Sequence, residues 1–379
     1  MFALILGLML LSDGVVAAWM VRRGPSPAVK AGLLAFAVLP ALQIVWMVVH
    51  RPTAIRAHEW VPMPLVALSY LWNLIVAPLS ALLIGAAALL RRLPLRRRPP
   101  APPDLSRRRV LKASVALVPP LGAVGTLAYA LPRLGDFRIR SLELPLPGLP
   151  DGLDGLVIAH LSDLHYGKFT KPRDVDRMVD AVNAMDADLA LFTGDLIDLS
   201  IRDLPAALDT LGRIRAKGGL FVCEGNHDLI DDPEAFRRDV RERGIALLLD
   251  EARTVEVAAK GRVGIHGVPW ARDEEGRRAV ARRARERIGK DAFPILLAHH
   301  PHTFDGAQGF PLTLSGHTHG GMLMWNERLG AGPILYRYWS GPYTREDRTI
   351  VVSNGIGNWF PLRIHAPAEI TRLTLRARA

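Results

Sequence analysis

The apolar residues of this 379-residue chain crowd into the part before residue 135, and that concentration constrains its fold more than any other feature. Met1–Met20, Gly32–Val49, Val61–Leu90 and Ala113–Leu131 are near-continuous apolar runs. A helix needs roughly 20 such residues to cross the hydrocarbon core of a bilayer. The first three therefore read as transmembrane helices, the third long enough to tilt or to break at Pro78. The fourth is a marginal span, because Pro119-Pro120 interrupts it. Asp13, Gln43 and Asn73 fall inside spans. With one acid and no cation to oppose it, helix–helix contacts account for them better than an intramembrane site. Residues 1–134 thus read as an all-α membrane region of three to four helices, and 135–379 as a separate domain.

The charge says which way the chain runs. From Arg91 to Lys112 there are nine basic residues (91, 92, 96, 97, 98, 107, 108, 109 and 112) against one acid, Asp104. A loop of that kind stays in the cytoplasm, and Arg22, Arg23 and Lys30 put the loop between the first two spans on the same side. The amino terminus and the domain after residue 135 then lie outside, so the expectation is a multi-pass protein of a bacterial cell membrane with an extracytoplasmic domain. Ser106–Lys112, with its consecutive arginines, resembles a twin-arginine export signal, and Ala128-Tyr129-Ala130 is an acceptable cleavage site. Much of the net charge of +11 sits in that one loop. It is a topology signal, and nucleic acid is not an expected partner. The single cysteine, Cys223, excludes an intramolecular disulfide and reads as a buried thiol.

After a linker at Pro132–Pro150, strand-like and helix-like segments alternate. Leu156–Leu161, Leu189–Thr193, Leu220–Cys223, Pro294–Ala298 and Leu312–Leu314 are short apolar runs of buried-strand length. Asp174–Met185, Leu204–Ala216, Pro233–Glu242 and Glu274–Ile288 read as helices. Further strands are expected at Ile245–Leu249, Thr254–Val257, Val263–Ile265, Ile350–Ser353 and Ile370–Leu375. The pattern predicts an α/β sandwich with two packed sheets.

Five of the strand-like runs end in polar segments: Asp163-Leu-His165, Gly194-Asp195-Leu-Ile-Asp198, Gly225-Asn226-His227-Asp228, His299-His300-Pro301 and Gly316-His317-Thr318-His319. Open α/β sheets place their sites at the carboxyl ends of strands. Asp163 and His165, two apart, can close on one ion. Asp195 has two carboxylate oxygens that can bridge two cations, Asn226 offers a neutral carbonyl oxygen, and His317 and His319 can each take a different metal. Oxygen and imidazole donors without thiolate suit Mn, Fe, Zn or Co. Two such cations about 3.5–4 Å apart hold a bridging hydroxide for in-line attack on phosphorus.

The five segments, in this order, resemble the calcineurin-like metallophosphoesterase family over about residues 138–378. Ser-Gly-His-Thr-His-Gly-Gly-Met, the tail Asn354-Gly-Ile-Gly…Pro361-Leu-Arg363 and the membrane spans are similar to its membrane-associated bacterial branch of the YkuE/YaeI type. That resemblance implies a four-layer α/β/β/α sandwich and two divalent metal ions. One would be held by Asp163, His165, Asp195 and His319, the other by Asp195, Asn226, His299 and His317. It implies that His227 binds the phosphate and protonates the leaving oxygen, with Asp198 orienting its ring. The implied activity is a phosphodiesterase acting on a cell-envelope or lipid-linked phosphate ester. The alternatives are a UDP-2,3-diacylglucosamine pyrophosphate hydrolase, which the orientation opposes, and a non-catalytic binding module, which an intact donor set opposes. The simpler members of the branch carry one export segment or anchor, and this chain has three spans ahead of it.

Other residues receive plainer readings. His299 is preferred to His300 as a ligand because it comes first after the strand. His266, His302 and His365 have no partner in the motif set. Asp228 caps a turn or touches a ligand. The basic stretch Arg277–Lys290 reads as a solvated helix face. Some of Trp325, Trp339, Trp359 and Phe360 are expected to line a groove or meet the bilayer.

Overall fold

The computed structural model describes residues 2–49, 60–92, 105–257, 260–287, 289, 291–326 and 329–377. His50-Arg51, residues 93–104 of the basic loop, and Ile288 and Lys290 of the basic stretch lie outside the described residues. Two compact units divide near residue 132, with Phe360–Leu362 counted in the first.

In the amino-terminal unit four helical segments are long and apolar enough to cross a membrane. They run Phe2–Val21, Pro27–Val49, Met63–Leu90 and Leu105–Ala130. The third departs from regular α geometry at Trp72–Val76, a π-helical turn just ahead of Pro78, where the Ala77 N–H donates to the Trp72 carbonyl. A proline has no N–H and its ring crowds the preceding turn, so the ladder rearranges upstream of it. The fourth is one continuous helix through both prolines. Pro119-Pro120 costs it two backbone bonds without ending it, and it runs on through Ala128-Tyr129-Ala130. Ser69 donates to Gln43 Oε1 at 2.6 Å and Asn73 Nδ2 donates to the Ser69 carbonyl at 2.7 Å, so these polar residues serve the bundle itself.

The second unit is a mixed α/β sandwich. Among the described residues its strands are β1 Phe137–Leu146, β2 Val157–Leu161, β3 Leu189–Thr193, β4 Leu220–Cys223, β5 Ala246–Leu247, β6 Glu251–Val257, β7 Gly261–Gly267, β8 Phe293–Leu297, β9 Leu312–Ser315, β10 Met324–Asn326, β11 Leu329–Gly330, β12 Gly341–Arg345, β13 Arg348–Val352 and β14 Ala368–Ala377. Two six-stranded sheets have the orders β1-β14-β2-β3-β4-β5 and β12-β13-β9-β8-β7-β6, and β10-β11 form a small ribbon. The expected linker at Pro132–Pro150 is thus corrected: it contains β1, which pairs in parallel with β14 from Phe137↔Ala368 to Leu146↔Ala377. Its period-2 alternation (Leu142, Leu144, Leu146 against Ser141, Glu143, Pro145) is that of a strand with one buried face.

Strand alternation sets the layers. Leu189 and Leu191 of β3 face Ile295 and Leu297 of β8 in the core between the sheets. Phe192, from the other face of β3, packs with Val175, Met178 and Leu208 of two covering helices. Leu296, from the other face of β8, packs with Val280, Ala281 and Ala284 of the helix Glu274–Arg285. That helix therefore buries one stripe, while Arg278 pairs with Glu274 on its exposed side. The helix Pro172–Asn183 buries Val175, Met178, Val179 and Val182 at i, i+3, i+4 and i+7. The helix Pro233–Glu242 starts where Asp232 Oδ1 accepts the Ala235 N–H, with proline at the first helical position.

Candidate metal centre

All five polar segments lie just past strand ends: Asp163 and His165 after β2, Asp195 and Asp198 after β3, Asn226, His227 and Asp228 after β4, His299 after β8, and His317 and His319 after β9. β2, β3 and β4 belong to one sheet and β8 and β9 to the other, so the site straddles the end of the sandwich. Five of these residues sit in the left-handed backbone region: Asp163 (φ 54°), His165 (44°), Asp195 (57°), His317 (73°) and His319 (50°). Each such residue costs on the order of 1–3 kcal/mol and persists only where its surroundings fix it.

The surroundings do fix it. The Asp163 carboxylate accepts the His317 N–H at 3.0 and 3.1 Å. Asp195 Oδ1 accepts the His227 N–H at 2.7 Å. The buried Asp228 carboxylate accepts the N–H groups of Asp195, Leu196, Ile197 and Gly225 at 2.8–3.2 Å, tying the β3 and β4 loops together. Asp228 is thus a loop anchor across two segments, a role beyond the turn cap considered from sequence. Two glycines allow the close approach: a Cβ on Gly225 would collide with Asp195, and one on Gly316 with Ser162 Oγ and Asp163 Oδ2.

Among the described residues three groups of donor atoms converge within 4.8 Å: Asp163, His165 and His319; Asp195, His299 and His317; and His165, Asp195 and His227. His165 Nε2 lies 3.1 Å from His319 Nε2 and 3.5 Å from Asp195 Oδ2. His299 Nε2 lies 3.1 Å from Asp195 Oδ2, 3.2 Å from Asn226 Oδ1 and 3.3 Å from His317 Nδ1. The other nitrogen of His299 donates to the Thr193 carbonyl at 2.7 Å, which leaves the Nε2 lone pair for the site. Imidazole nitrogens and carboxylate oxygens converging in this way, with no thiolate among them, are a donor set that fits divalent cations.

The carboxylates also govern the imidazole protons. Burial disfavours charge on His165, but Asp163, Asp198 and Asp195 outweigh it and raise its pKa to about 10. Burial likewise opposes charge on His299, and Asp195 and Asp163 raise it to about 9. For His317 burial prevails, reinforced by the positive charge of His299, and the pKa falls to about 3. His319 falls to about 4, again through burial.

His227 stands at the rim. Its Nδ1 lies 2.7 Å from the Asp198 carbonyl oxygen and 3.3 Å from Asp198 Oδ1. Trp359 flanks His227 at a ring separation of 5.9 Å. On the opposite side Trp270 lies 5.6 Å from His299 and 5.2 Å from His317, ring to ring, and Tyr336 Oη approaches His317 Nε2 at 3.5 Å. Trp339 is buried with Met324 and Ala366, Phe360 is buried, and Trp325 is 82% exposed. His300 joins none of the donor groups; its Nδ1 accepts the His302 N–H at 3.1 Å. His266 is buried, His302 half-buried, His365 exposed and Cys223 buried.

Sequence reasoning gave no role to two contributors. Arg363, half-buried, reaches His319 Nδ1 at 2.9 Å and donates to the carbonyls of Asn354 and Gly357, buttressing His319 against the 354–358 loop. Trp270, three residues past β7, is held by its backbone N–H donating to Glu224 Oε1 at 3.1 Å. A tryptophan just past a strand end was the available signal for the second.

A two-sheet sandwich with Asp, Asn and His donors at its strand ends defines a metallophosphoesterase class of protein. The calcineurin-like phosphoesterase family matches residues 156–361, and the chain belongs to it. Among its relatives, a transmembrane protein with metallophosphoesterase domain from Danio rerio is 28% identical over 63% of this chain and 57% of its own length. YkuE, a metallophosphoesterase of Bacillus subtilis, is 28% identical over 68% of this chain and 91% of its own. Phosphodiesterase YaeI of Escherichia coli is 27% identical over 72% of this chain and 99% of its own. The chain spans only about three-fifths of the length of the transmembrane relatives from Danio rerio and Bos taurus (57% and 64%).

Proposed function

We propose that this chain is a membrane-anchored phosphodiesterase that uses two divalent metal ions and acts outside the cytoplasm on a lipid-linked or cell-envelope phosphate ester. Asp195 carries the reading. Its carboxylate belongs to two of the three donor groups, so one residue can serve two cations. Asp163, His165 and His319 would complete one site, and Asn226, His299 and His317 the other. Bound there, the cations would polarise the phosphoryl oxygens and supply a nucleophilic water at neutral pH. His227 presents the nitrogen that Asp198 leaves open and gives its proton to the departing oxygen. Trp270, Tyr336 and Trp359 wall the site and restrict water around the ester. The extracytoplasmic placement rests on the basic loop and the spans before it.

The full chain in detergent, given Mn²⁺, should hydrolyse bis(p-nitrophenyl) phosphate faster than p-nitrophenyl phosphate. Chelation should abolish turnover and Mn²⁺ restore it. Chelator-insensitive turnover, or a preference for the monoester, would overturn the reading.

Metal loading should also depend on pH. His165 and His299 hold protons in the stripped protein, because their pKa values lie above the ordinary imidazole range at about 10 and about 9. A proton on either nitrogen must leave before it can bind metal. Loading near pH 7 should therefore release about two protons per chain. Affinity should rise with pH up to about 9 and level off above about 10. Calorimetry in two buffers of different ionisation enthalpy reads the protons directly. Equal heats and an affinity constant from pH 6 to 9 would contradict it.

A further inference from the structure

A ligand imidazole keeps its orientation by donating its second N–H to a fixed acceptor, and removing such a partner weakens metal binding by about 10–100-fold. His299 has one: its Nδ1 donates to the Thr193 carbonyl at 2.7 Å. In His317 the two nitrogens exchange roles. Nδ1 lies 3.3 Å from His299 Nε2, within the group that includes Asp195, so Nδ1 is the nitrogen that faces a cation there. Nε2 then carries the hydrogen of the ring. The group that meets it is the hydroxyl of Tyr336, whose Oη lies 3.5 Å away with the two rings nearly perpendicular at 85°. Trp270 at 5.2 Å and His300 at 4.8 Å, ring to ring, pack beside the same imidazole. Ring contacts of that kind limit its swing without choosing which nitrogen holds the hydrogen. A phenol oxygen does choose, because its lone pairs accept.

Tyr336 is itself held at the site by the segment that supplies His299. That ligand runs through His300 into the turn Pro301–Gly306. His302 Nε2 in this turn accepts the Arg337 N–H at 3.1 Å, and Asp305 pairs with the Arg337 guanidinium at 3.0 Å. On its other side the Tyr336 N–H donates to the Gly332 carbonyl at 2.8 Å, closing the short helix Gly332–Leu335. The phenol is thus bracketed by two backbone N–H bonds, one of them to the turn that follows His299. A ring kept there for volume alone needs no hydroxyl, and the half-buried Tyr336 places its oxygen against His317.

We propose that Tyr336 is a positioning residue of the metal centre: its phenol oxygen accepts the His317 Nε2–H and holds the ring with Nδ1 toward the cation shared with Asp195, Asn226 and His299. The role rests on the two-cation reading above and concerns metal affinity rather than the hydrolytic step itself. Cobalt binding by the full chain in detergent tests it, with the chain first stripped by chelation and then titrated with Co²⁺ against a chromophoric competitor. The wild type should bind two ions. Y336F keeps the ring and loses only the oxygen. It should bind one ion unchanged and the other at least about tenfold more weakly, with the visible absorption of that second ion altered. Y338F is the control. The Tyr338 hydroxyl donates to Asp305 at 2.9 Å, so its loss loosens the same loop without touching a ligand, and both ions should bind as in the wild type. Affinities and a spectrum unchanged in Y336F, or an equal weakening in Y338F, would overturn the positioning role. A wild type that takes up a single Co²⁺ ion would overturn the two-cation reading, and the role with it.

Discussion

Asp195→Asn is expected to lower diester hydrolysis by about a thousand-fold or more, roughly 4 kcal/mol of transition-state stabilisation, and to reduce the metal content of the purified chain. The expectation follows from how the carboxylate is used. Oδ1 accepts the His227 N–H at 2.7 Å, while Oδ2 faces His299 Nε2 at 3.1 Å and His165 Nε2 at 3.5 Å. An asparagine has one acceptor oxygen. With that oxygen on the His227 N–H, the amide hydrogens point at the two imidazoles where cations would sit, and the negative charge is gone. With the amide reversed, two N–H groups confront each other and the β4 loop loses its tie. The substitution is close in size, and Asp228 still anchors the loop through the Asp195, Leu196 and Ile197 N–H groups. The fold should therefore survive, and circular dichroism and the melting transition would verify this. Metal analysis alongside kinetics separates the possibilities. A folded variant that retains a tenth or more of the activity with full metal content would remove Asp195 from the centre of the site.

How much of this was legible in the sequence follows from where each signal is local. The strand-end motifs could be read because their spacing is local: two residues from Asp163 to His165 or from His317 to His319 span one turn, whatever the rest of the chain does. The amphipathic helix Pro233–Glu242 was legible for the same reason, since Asp232, Pro233 and the buried Phe236 and Val240 announce both start and face. β1 was missed although its alternation is local: in a segment bounded by prolines, an edge strand is settled only by its partner, and β14 lies more than 200 residues downstream. Arg363 was hidden in the same way, because its contacts with His319 and the 354–358 carbonyls arise only when the chain returns to the site. Nor does sequence reveal that five site residues adopt left-handed backbone: neighbours such as Gly316 and Gly225 hint at crowding, but the strain is imposed by long-range bonds such as His317 N–H to Asp163. In the amino-terminal unit the apolar runs coincide with four helices among the described residues, yet hydropathy placed the irregularity at Pro78 rather than in the turn ahead of it, because the displaced hydrogen bond belongs to the preceding residues.

His227→Gln should separate the protonation step from metal binding. The Asp198 carbonyl engages Nδ1 at 2.7 Å, with Oδ1 of the same residue at 3.3 Å, so Nε2 is the nitrogen left to meet substrate. A general acid contributes on the order of 10²–10⁴ in rate when the leaving group is poor. An alkyl phosphodiester should therefore slow by at least about a hundred-fold in the variant. A p-nitrophenyl diester, whose phenolate departs without a proton, should slow by less than about ten-fold. The metal content decides between two roles that geometry alone leaves side by side, because His227 also belongs to the donor group with His165 and Asp195. If His227 acts on substrate, the variant keeps its metal and the loss tracks the leaving group. If it is a ligand, metal falls and both substrates slow together. Asp198→Asn should shift the two substrates in the same unequal way but less, since the backbone carbonyl that holds Nδ1 survives the substitution, and a loss in the alkyl ester as large as that of His227→Gln would mean that the carboxylate, not the carbonyl, sets the ring.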